Sequence, residues 1–281
     1  MKTRRRLALP RIGLWSLVVL TVAVITVGIP FWVIIVNSLK PYPETVSPNL
    51  SLPTDWQVIE NFQAVLGKSS VTRGFLNTGL ILVATIPLTL VLSAAAAWVF
   101  ARSRSRALRP LYYLILVGVL VPPAIVASIF VFKALGIYGG LPGLSLLYCA
   151  WFIPLGVFLI TGFVRTIPVE LEEAARIDGA SSISVFGRIV LPLLAPVLIT
   201  TSIIVVISLW NDFLTPYMML RDPSNDTLTL SLLDFATGST VGDNYQWNLV
   251  FADIVLSSLP MFVAYYVAQR YIVNGLAGIG K

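Results

Sequence analysis

Apolar runs of roughly 20–25 residues recur six times along this chain, and each is long enough to cross the ~30 Å hydrocarbon core of a bilayer. In lipid the backbone must satisfy its own N–H and C=O groups, so runs of this kind are restricted to helices. The runs predict spans at about 12–37, 76–101, 109–133, 143–164, 195–219 and 249–272. Only 11% of the residues are charged, against about 25% in a soluble domain. No stretch is polar enough for a separate soluble domain. The expectation is an all-α membrane protein with six transmembrane helices and a single domain over 1–281. Its core spans cover about 72–272, with a polar segment at 165–194 and a short tail at 273–281. Pro122-Pro123 interrupts the third span and should bend it while freeing carbonyls.

Lysine and arginine set the direction of insertion. Lys2, Arg4, Arg5, Arg6, Arg11, Arg102, Arg104, Arg106, Arg109, Arg165, Arg176, Arg188, Arg270 and Lys281 fall on one side of the membrane. Lys40, Lys68, Arg73, Lys133 and Arg221 fall on the other. The bias puts both termini and the 165–194 segment in the cytoplasm, and the loops at 38–75 and 220–248 outside. The first run is too long for the apolar region of a signal peptide and ends in Asn37-Ser38-Leu39-Lys40, without a small-residue cleavage site. The basic residues flank spans and form no stripe interleaved with aromatics, which argues against nucleic acid as a partner. Cys149 is the only cysteine and histidine is absent, so a cysteine metal site and the usual proton shuttle are both excluded.

The segment after the fourth span is built differently from everything around it. Pro168 suits a first helical turn, and Glu170, Glu172 and Glu173 then crowd a helix N-terminus, where the dipole favours negative charge. Glu172 and Arg176 stand one turn apart and can pair. Gly179, after Asp178, sits where a left-handed C-cap is expected. Leu171, Ala174, Ala175 and Asp178 share one face by their spacing, and the paired alanines permit close approach to another surface. A second short helix through Phe186 and Ile189 should last until Leu191-Pro192 turns the chain back into the membrane. A helix lying on headgroups would want bulky apolar residues and a basic polar face. This one offers alanines and glutamates, which suit a protein groove better.

The pattern Glu173-Ala174-Ala175, Gly179, Ile189, Leu191-Pro192 resembles the signature of permease subunits of ATP-binding-cassette (ABC) importers. Glu173-Ala174-Ala175-Arg176-Ile177-Asp178-Gly179-Ala180 looks like their carbohydrate branch. Gln269-Arg270-Tyr271-Ile272-Val273-Asn274-Gly275-Leu276 is similar to the C-terminus of the smaller permease of maltose-type transporters. Asn77-Thr78, Ala96-Ala97-Trp98-Val99-Phe100-Ala101-Arg102 and Trp210-Asn211-Asp212-Phe213 fall where those permeases have comparable segments. The resemblance implies the type I importer permease fold and a transport subunit that is not itself an enzyme. It implies as partners a second homologous permease, two ABC ATPase subunits that bind the ATP and magnesium, and an extracytoplasmic solute-binding protein. In that family the polar segment is the coupling helix, so Glu173, Ala174, Ala175, Arg176, Asp178 and Gly179 would dock the ATPase. The tail from Gly275 to Lys281 would enter between the ATPase subunits, and the loop carrying Gly238, Ser239, Thr240 and Asp243 would reach the binding protein. A plain reading of that loop is a solvated hairpin.

The chain supplies no nucleotide site of its own. Gly67-Lys68-Ser69 matches the end of a phosphate-binding loop, but Phe62 occupies the place of the first glycine and no strand precedes it. Ionisable residues within a span are costly, by ~2.5–3.5 kcal/mol near its middle, which draws attention to Asp212 and Asp253. Trp210, Asn211 and Asp212 are candidates for the substrate pathway, a ring for sugar C–H groups beside an amide and a carboxylate for hydroxyls. Helix–helix hydrogen bonding, or solvation at the outer interface, is the other reading of Asp212. The Ala94-Ala95-Ala96-Ala97 run reads as close helix packing. Rival functions are a permease for a polar non-sugar solute such as a glycerophosphodiester, a stand-alone channel or secondary carrier, and a scaffold that only anchors a cytoplasmic complex.

Overall fold

A computed structural model describes residues 13–238, 240–241 and 244–277. In chain order its helices are α1 (Trp15–Ser38), α2 (Val58–Leu66), α3 (Ser69–Arg102), α4 (Leu108–Leu120), α5 (Ile125–Ala134) and α6 (Leu141–Val164). There follow α7 (Glu170–Ile177), α8 (Ser182–Leu193), α9 (Ala195–Asn211), α10 (Leu214–Met219), α11 (Leu228–Gly238) and α12 (Trp247–Ala277). The helices α1, α3, α6 and the Trp247–Tyr266 part of α12 are each long and apolar enough to cross a membrane. The number rises to six when α4 with α5, and α8 with α9, each count as one bent span.

Several expected boundaries shift. The second span begins at Ser69, a full turn and more before Asn77-Thr78. The third is not a kinked helix: α4 and α5 meet at 118° across Val121–Ala124, far beyond a proline kink. The fifth is cut at Asp212-Phe213 into α9 and α10. The turn that precedes it lies at Leu194, with 72° between α8 and α9, rather than at Leu191-Pro192. The loop expected at 220–248 contains the helix α11, followed by a two-residue antiparallel ladder of β1 (Thr240–Val241) on β2 (Asn244–Tyr245). The expected tail from 273 opens as the last turn of α12, and 278–281 lie outside the described residues.

The chain forms two compact units, Met1–Val65 with Ala236–Leu256, and Leu66–Phe235 with Ser257–Lys281. In the first, α1 exposes apolar side chains on all sides from Trp15 to Ile35, as a helix does whose solvent is itself apolar. Beyond it Lys40 is fully buried. Its ammonium donates to Asn49 Oδ1 at 2.7 Å and Ser51 Oγ at 3.3 Å. Lys40 therefore organises the loop, beyond serving as an orienting charge. Asn61 donates to the carbonyls of Ser38 and Lys40 at 3.0 and 2.9 Å and accepts from Asn248 at 2.9 Å. Asp253 is fully buried in this unit.

The second unit is built on α3 against α6. Ile81, Thr85, Thr89, Ser93 and Ala97 recur every fourth residue of α3 and are all buried, a ridge of small and β-branched side chains that seats in the groove of another helix. Thr85 Oγ1 donates to the Ser145 carbonyl at 3.4 Å and Ser93 Oγ to that of Ile153 at 3.3 Å. Opposite Ser93 lies Gly156, where any β-carbon would collide with the serine side chain. Ala94 and Ala97 are completely buried, so the close-packing reading of the alanine run holds for these two. Two apolar clusters result. One gathers Ile81, Leu144, Tyr148, Leu209 and Met219; the other gathers Ala97, Ile160, Val164, Val185 and Leu194 beneath α7 and α8.

Candidate functional site

The helix α7 ends in a complete Schellman motif. Gly179 has φ 83°, its N–H reaches the Arg176 carbonyl at 3.0 Å, and the Ala180 N–H reaches that of Ala175 at 3.0 Å. The next helix starts at once, with the Ser181 hydroxyl accepting the Ser184 N–H at 3.3 Å. The expected glycine C-cap is therefore present, and it sets two short helices in sequence with one residue in the left-handed region between them.

The two faces of α7 divide the predicted site. Glu173, Ala174, Arg176, Asp178 and Gly179 are exposed, together with Leu171 and an almost bare Ile177 at 87%. Ala175 is not on that surface: it packs inward against the second apolar cluster, with Ala180 and Phe186. The paired alanines thus face different surroundings, because consecutive helical residues are ~100° apart. On the next helix Ile183 is exposed at 85%. Glu170 and Glu173 therefore rim a surface whose centre is aliphatic, and the sequence reading had not singled out Ile177 or Ile183.

Glu172 belongs inside. It is 2% exposed and its two oxygens have separate donors, Trp98 Nε1 at 2.9 Å and Arg102 Nε at 2.8 Å. Arg102 also donates to the Ile167 carbonyl at 2.8 Å, and the Trp98 ring lies 5.5 Å from that of Phe186. The expected partner, Arg176, is half-exposed and 4.0 Å away, a minor contribution. Trp98 and Arg102 sit one turn apart on the last turns of α3. That spacing was legible; a buried carboxylate as the shared partner was not.

At the other end of this unit, Asp212 occupies the break between α9 and α10. Its Oδ2 accepts from the Tyr148 hydroxyl at 2.9 Å, its Oδ1 from the Thr215 N–H at 3.1 Å, and its carbonyl from Thr229 at 2.8 Å. The carboxylate is a joint, as the helix-bonding reading held. Trp210 donates to the Ser257 carbonyl at 3.2 Å and lies 6.3 Å from Phe75. Asn211 is exposed, its amide bonded back to Ile207 at 2.8 Å. Asn77 and Thr78, which the sequence marks as a segment comparable to one in the permeases, clamp the loop before α11. Asn77 donates to the carbonyls of Ser224 and Asp226, each at 2.9 Å, and Thr78 accepts the Leu228 N–H at 2.9 Å.

A cavity of about 230 Å³ opens beside that loop, with Tyr217, Arg221, Asp226 and Asp234 in its wall. Burial, reinforced by the neighbouring Asp234, pushes the Asp226 carboxyl up to about 6. The Ser224 N–H holds Asp222 below the usual carboxylate range. Of the loop residues expected to meet a second protein, Gly238 closes α11 and the Thr240 backbone pairs with Tyr245 in a short hairpin. Ser239 and Asp243 lie outside the described residues.

Residues 89–277 match the family described as binding-protein-dependent transport system inner membrane component. The chain is 30% identical over 266 residues to the diacetylchitobiose uptake system permease protein NgcG of Streptomyces coelicolor, covering 94% of this chain and 84% of that protein. It is 32% identical over 249 residues to AmyC of Thermoanaerobacterium thermosulfurigenes, a probable starch degradation products transport system permease, covering 88% and 89%. The fold is similar to that of a chain in the crystal structure of a bacterial ABC transporter involved in alginate import. The TM-score is 0.81 at 22% identity, covering 92% of this chain and 95% of that one.

Proposed function

The chain belongs to the binding-protein-dependent transport system inner membrane components, and on that premise we propose that it carries a di- or oligosaccharide across the membrane as one half of a two-permease importer. It is a multi-pass membrane permease of the ABC type, which displaces the readings as a stand-alone channel, a secondary carrier or a bare scaffold. The saccharide is supported by the relatives, whose roles concern diacetylchitobiose and starch products. These weigh against a glycerophosphodiester.

In this reading both termini and the α7–α8 segment face the cytoplasm, as the distribution of arginine and lysine supports. Two ATPase subunits bind ATP and magnesium and seat the outer surface of α7 in a cleft. A solute-binding protein docks on the opposite side, where the 238–243 loop meets it. Closure of the ATPases draws α7 and α8 along, the spans reorient, and the pathway opens toward the loaded binding protein. Such a subunit works by being stabilised differently in two conformations. Asn211, exposed at the end of α9, is the pathway candidate among the three predicted residues.

One observation carries the docking assignment: Glu173 and Ile177 project from a helix whose other side is fixed by Glu172 and Ala175. An acidic rim around an aliphatic centre suits a protein cleft with basic and apolar walls, and anionic headgroups would repel it. The test is Glu173→Lys. The variant should insert normally, lose co-purifying ATPase and lose uptake. Full uptake with ATPase still bound would remove the docking role.

A further inference from the structure

We propose that Glu172 is a positioning residue that locks the docking helix α7 to the end of α3, so that displacement of α7 reaches the membrane spans instead of being absorbed at their junction. The proposal rests on α7 being the ATPase-docking element. Adjacent glutamates then have separate tasks: Glu173 faces the partner and Glu172 faces the lever's root.

The geometry is that of a fork. Trp98 and Arg102 project from successive turns of α3 and each takes one oxygen of the same carboxylate, at 2.9 and 2.8 Å. The same Arg102 holds the Ile167 carbonyl, in the link that leads from α6 into α7, and the Trp98 ring reaches Phe186 on α8. One end of α3 therefore grips the approach to α7, α7 itself and α8. Rotation of α7 about its own axis, or sliding along α3, would break at least one charge-assisted bond in a site closed to water. A buried ion pair is weak evidence for stability, since well-packed apolar residues often do as well. What apolar packing does not provide is a fixed direction. Two oxygens bound by two donors on one helix face define an orientation, and a coupling element needs orientation more than it needs energy.

The amide of Glu172→Gln can accept from only one of the two donors, and its NH2 group meets the other. The test uses the complete importer, with second permease, ATPases and binding protein, in proteoliposomes, measuring uptake and ATP hydrolysis together. Glu172→Gln is expected to retain bound ATPase and continuing hydrolysis while uptake per ATP falls about tenfold, the scale of losing a partner in a buried charged bond. Trp98→Phe, which keeps the ion pair, should fall between this variant and the wild type. A purely structural role would lower the amount of assembled complex and leave uptake per ATP unchanged, and that result would overturn the proposal. Loss of ATPase from the Glu172→Gln complex would make Glu172 a docking residue, and failure of both variants to insert would make the fork a folding element. Either outcome also overturns it. The docking reading fails separately, if Glu173→Lys retains ATPase and uptake.

Discussion

The Tyr148 hydroxyl donates to Asp212 Oδ2 at 2.9 Å, tying the middle of α6 to the gap between α9 and α10. The other oxygen of the same carboxylate caps the Thr215 N–H. Asp212 thus interrupts an apolar run that is long enough to continue as one helix, and Tyr148, itself buried, holds the interruption in place. Tyr148→Phe removes the donor and leaves a carboxylate oxygen short of a partner. The expected cost is about 1–3 kcal/mol, read as a lowered midpoint of thermal unfolding in detergent, with the KM for the transported solute unchanged. A shifted KM at unaltered stability would return Asp212 to the pathway.

Gly74 is where α3 passes the start of α11. A β-carbon there would overlap the Ser231 hydroxyl and lie 3.1 Å from Leu228 Cα, which is backbone and cannot rotate away. Gly74→Ala should destabilise by about 1–3 kcal/mol, the range for forcing an extra methyl into a packed site. Gly79→Ala, on the same helix with open space around the built carbon, should be neutral or slightly stabilising because alanine is the better helix former. Equal unfolding midpoints for the two variants would contradict the assigned contact.

What could be read from the sequence divides along the same physical line. Span length is a one-dimensional property, and α1, α3, α6 and α12 follow from apolar runs alone. Direction is not. Pro122-Pro123 announces an interruption, but the 118° between α4 and α5 depends on where Ile129 finds a core among Leu144, Leu147 and Met219, residues far along the chain. Similarly, Gly179 announces the end of α7, since glycine alone is comfortable at φ 83°. Which side of α7 faces inward is set by Trp98 and Arg102, so Ala175 lies inside rather than on the docking surface and Glu172 pairs with Arg102 more closely than with Arg176. The helix α11 was treated as loop because its run is short. Its N-terminal cap is tertiary and has no local signal: the Thr78 hydroxyl, 150 residues earlier in the chain, accepts the first N–H of α11.

Asp226 makes stability depend on pH. Its folded pKa is raised, to about 6, above the 3.8 of a free aspartate. The neutral acid therefore favours the folded state, an advantage complete below about pH 3.8 and lost as the pH rises through about 6. Unfolding midpoints should fall between pH 4 and pH 7 through this group. Burial is the first cause and Asp234 the second, so Asp234→Asn should move the transition to lower pH without abolishing it. Asp226→Asn should remove it and raise the midpoint at pH 7 relative to the wild type. An identical pH profile for wild type and Asp226→Asn would show that this carboxyl does not titrate in the window.

Gly179 tests whether the angle between α7 and α8 matters to transport. No atom lies within 4 Å of a β-carbon built there, so crowding is not the obstacle; the backbone is, at φ 83°. Alanine in that conformation costs about 1–2 kcal/mol, and asparagine less, because its side chain tolerates the left-handed region. The strain is relieved most easily by releasing the Schellman bonds to Ala175 and Arg176, which frays the last turn of α7 and frees Ile177 and Asp178 from their fixed places. Uptake should therefore fall several-fold in Gly179→Ala and partly recover in Gly179→Asn, with the rest of the fold intact because the fork at Glu172 lies about two turns away. Gly187 supplies the control. It too has open space around a built β-carbon, but its φ is negative, within the π-helical stretch Phe186–Val190 of α8, and Gly187→Ala should transport like the wild type. Should Gly179→Ala and Gly187→Ala transport alike, the angle set by the left-handed residue would have no part in coupling, and the exposed surface of α7 would have to be recognised as a flexible strand rather than as a capped helix.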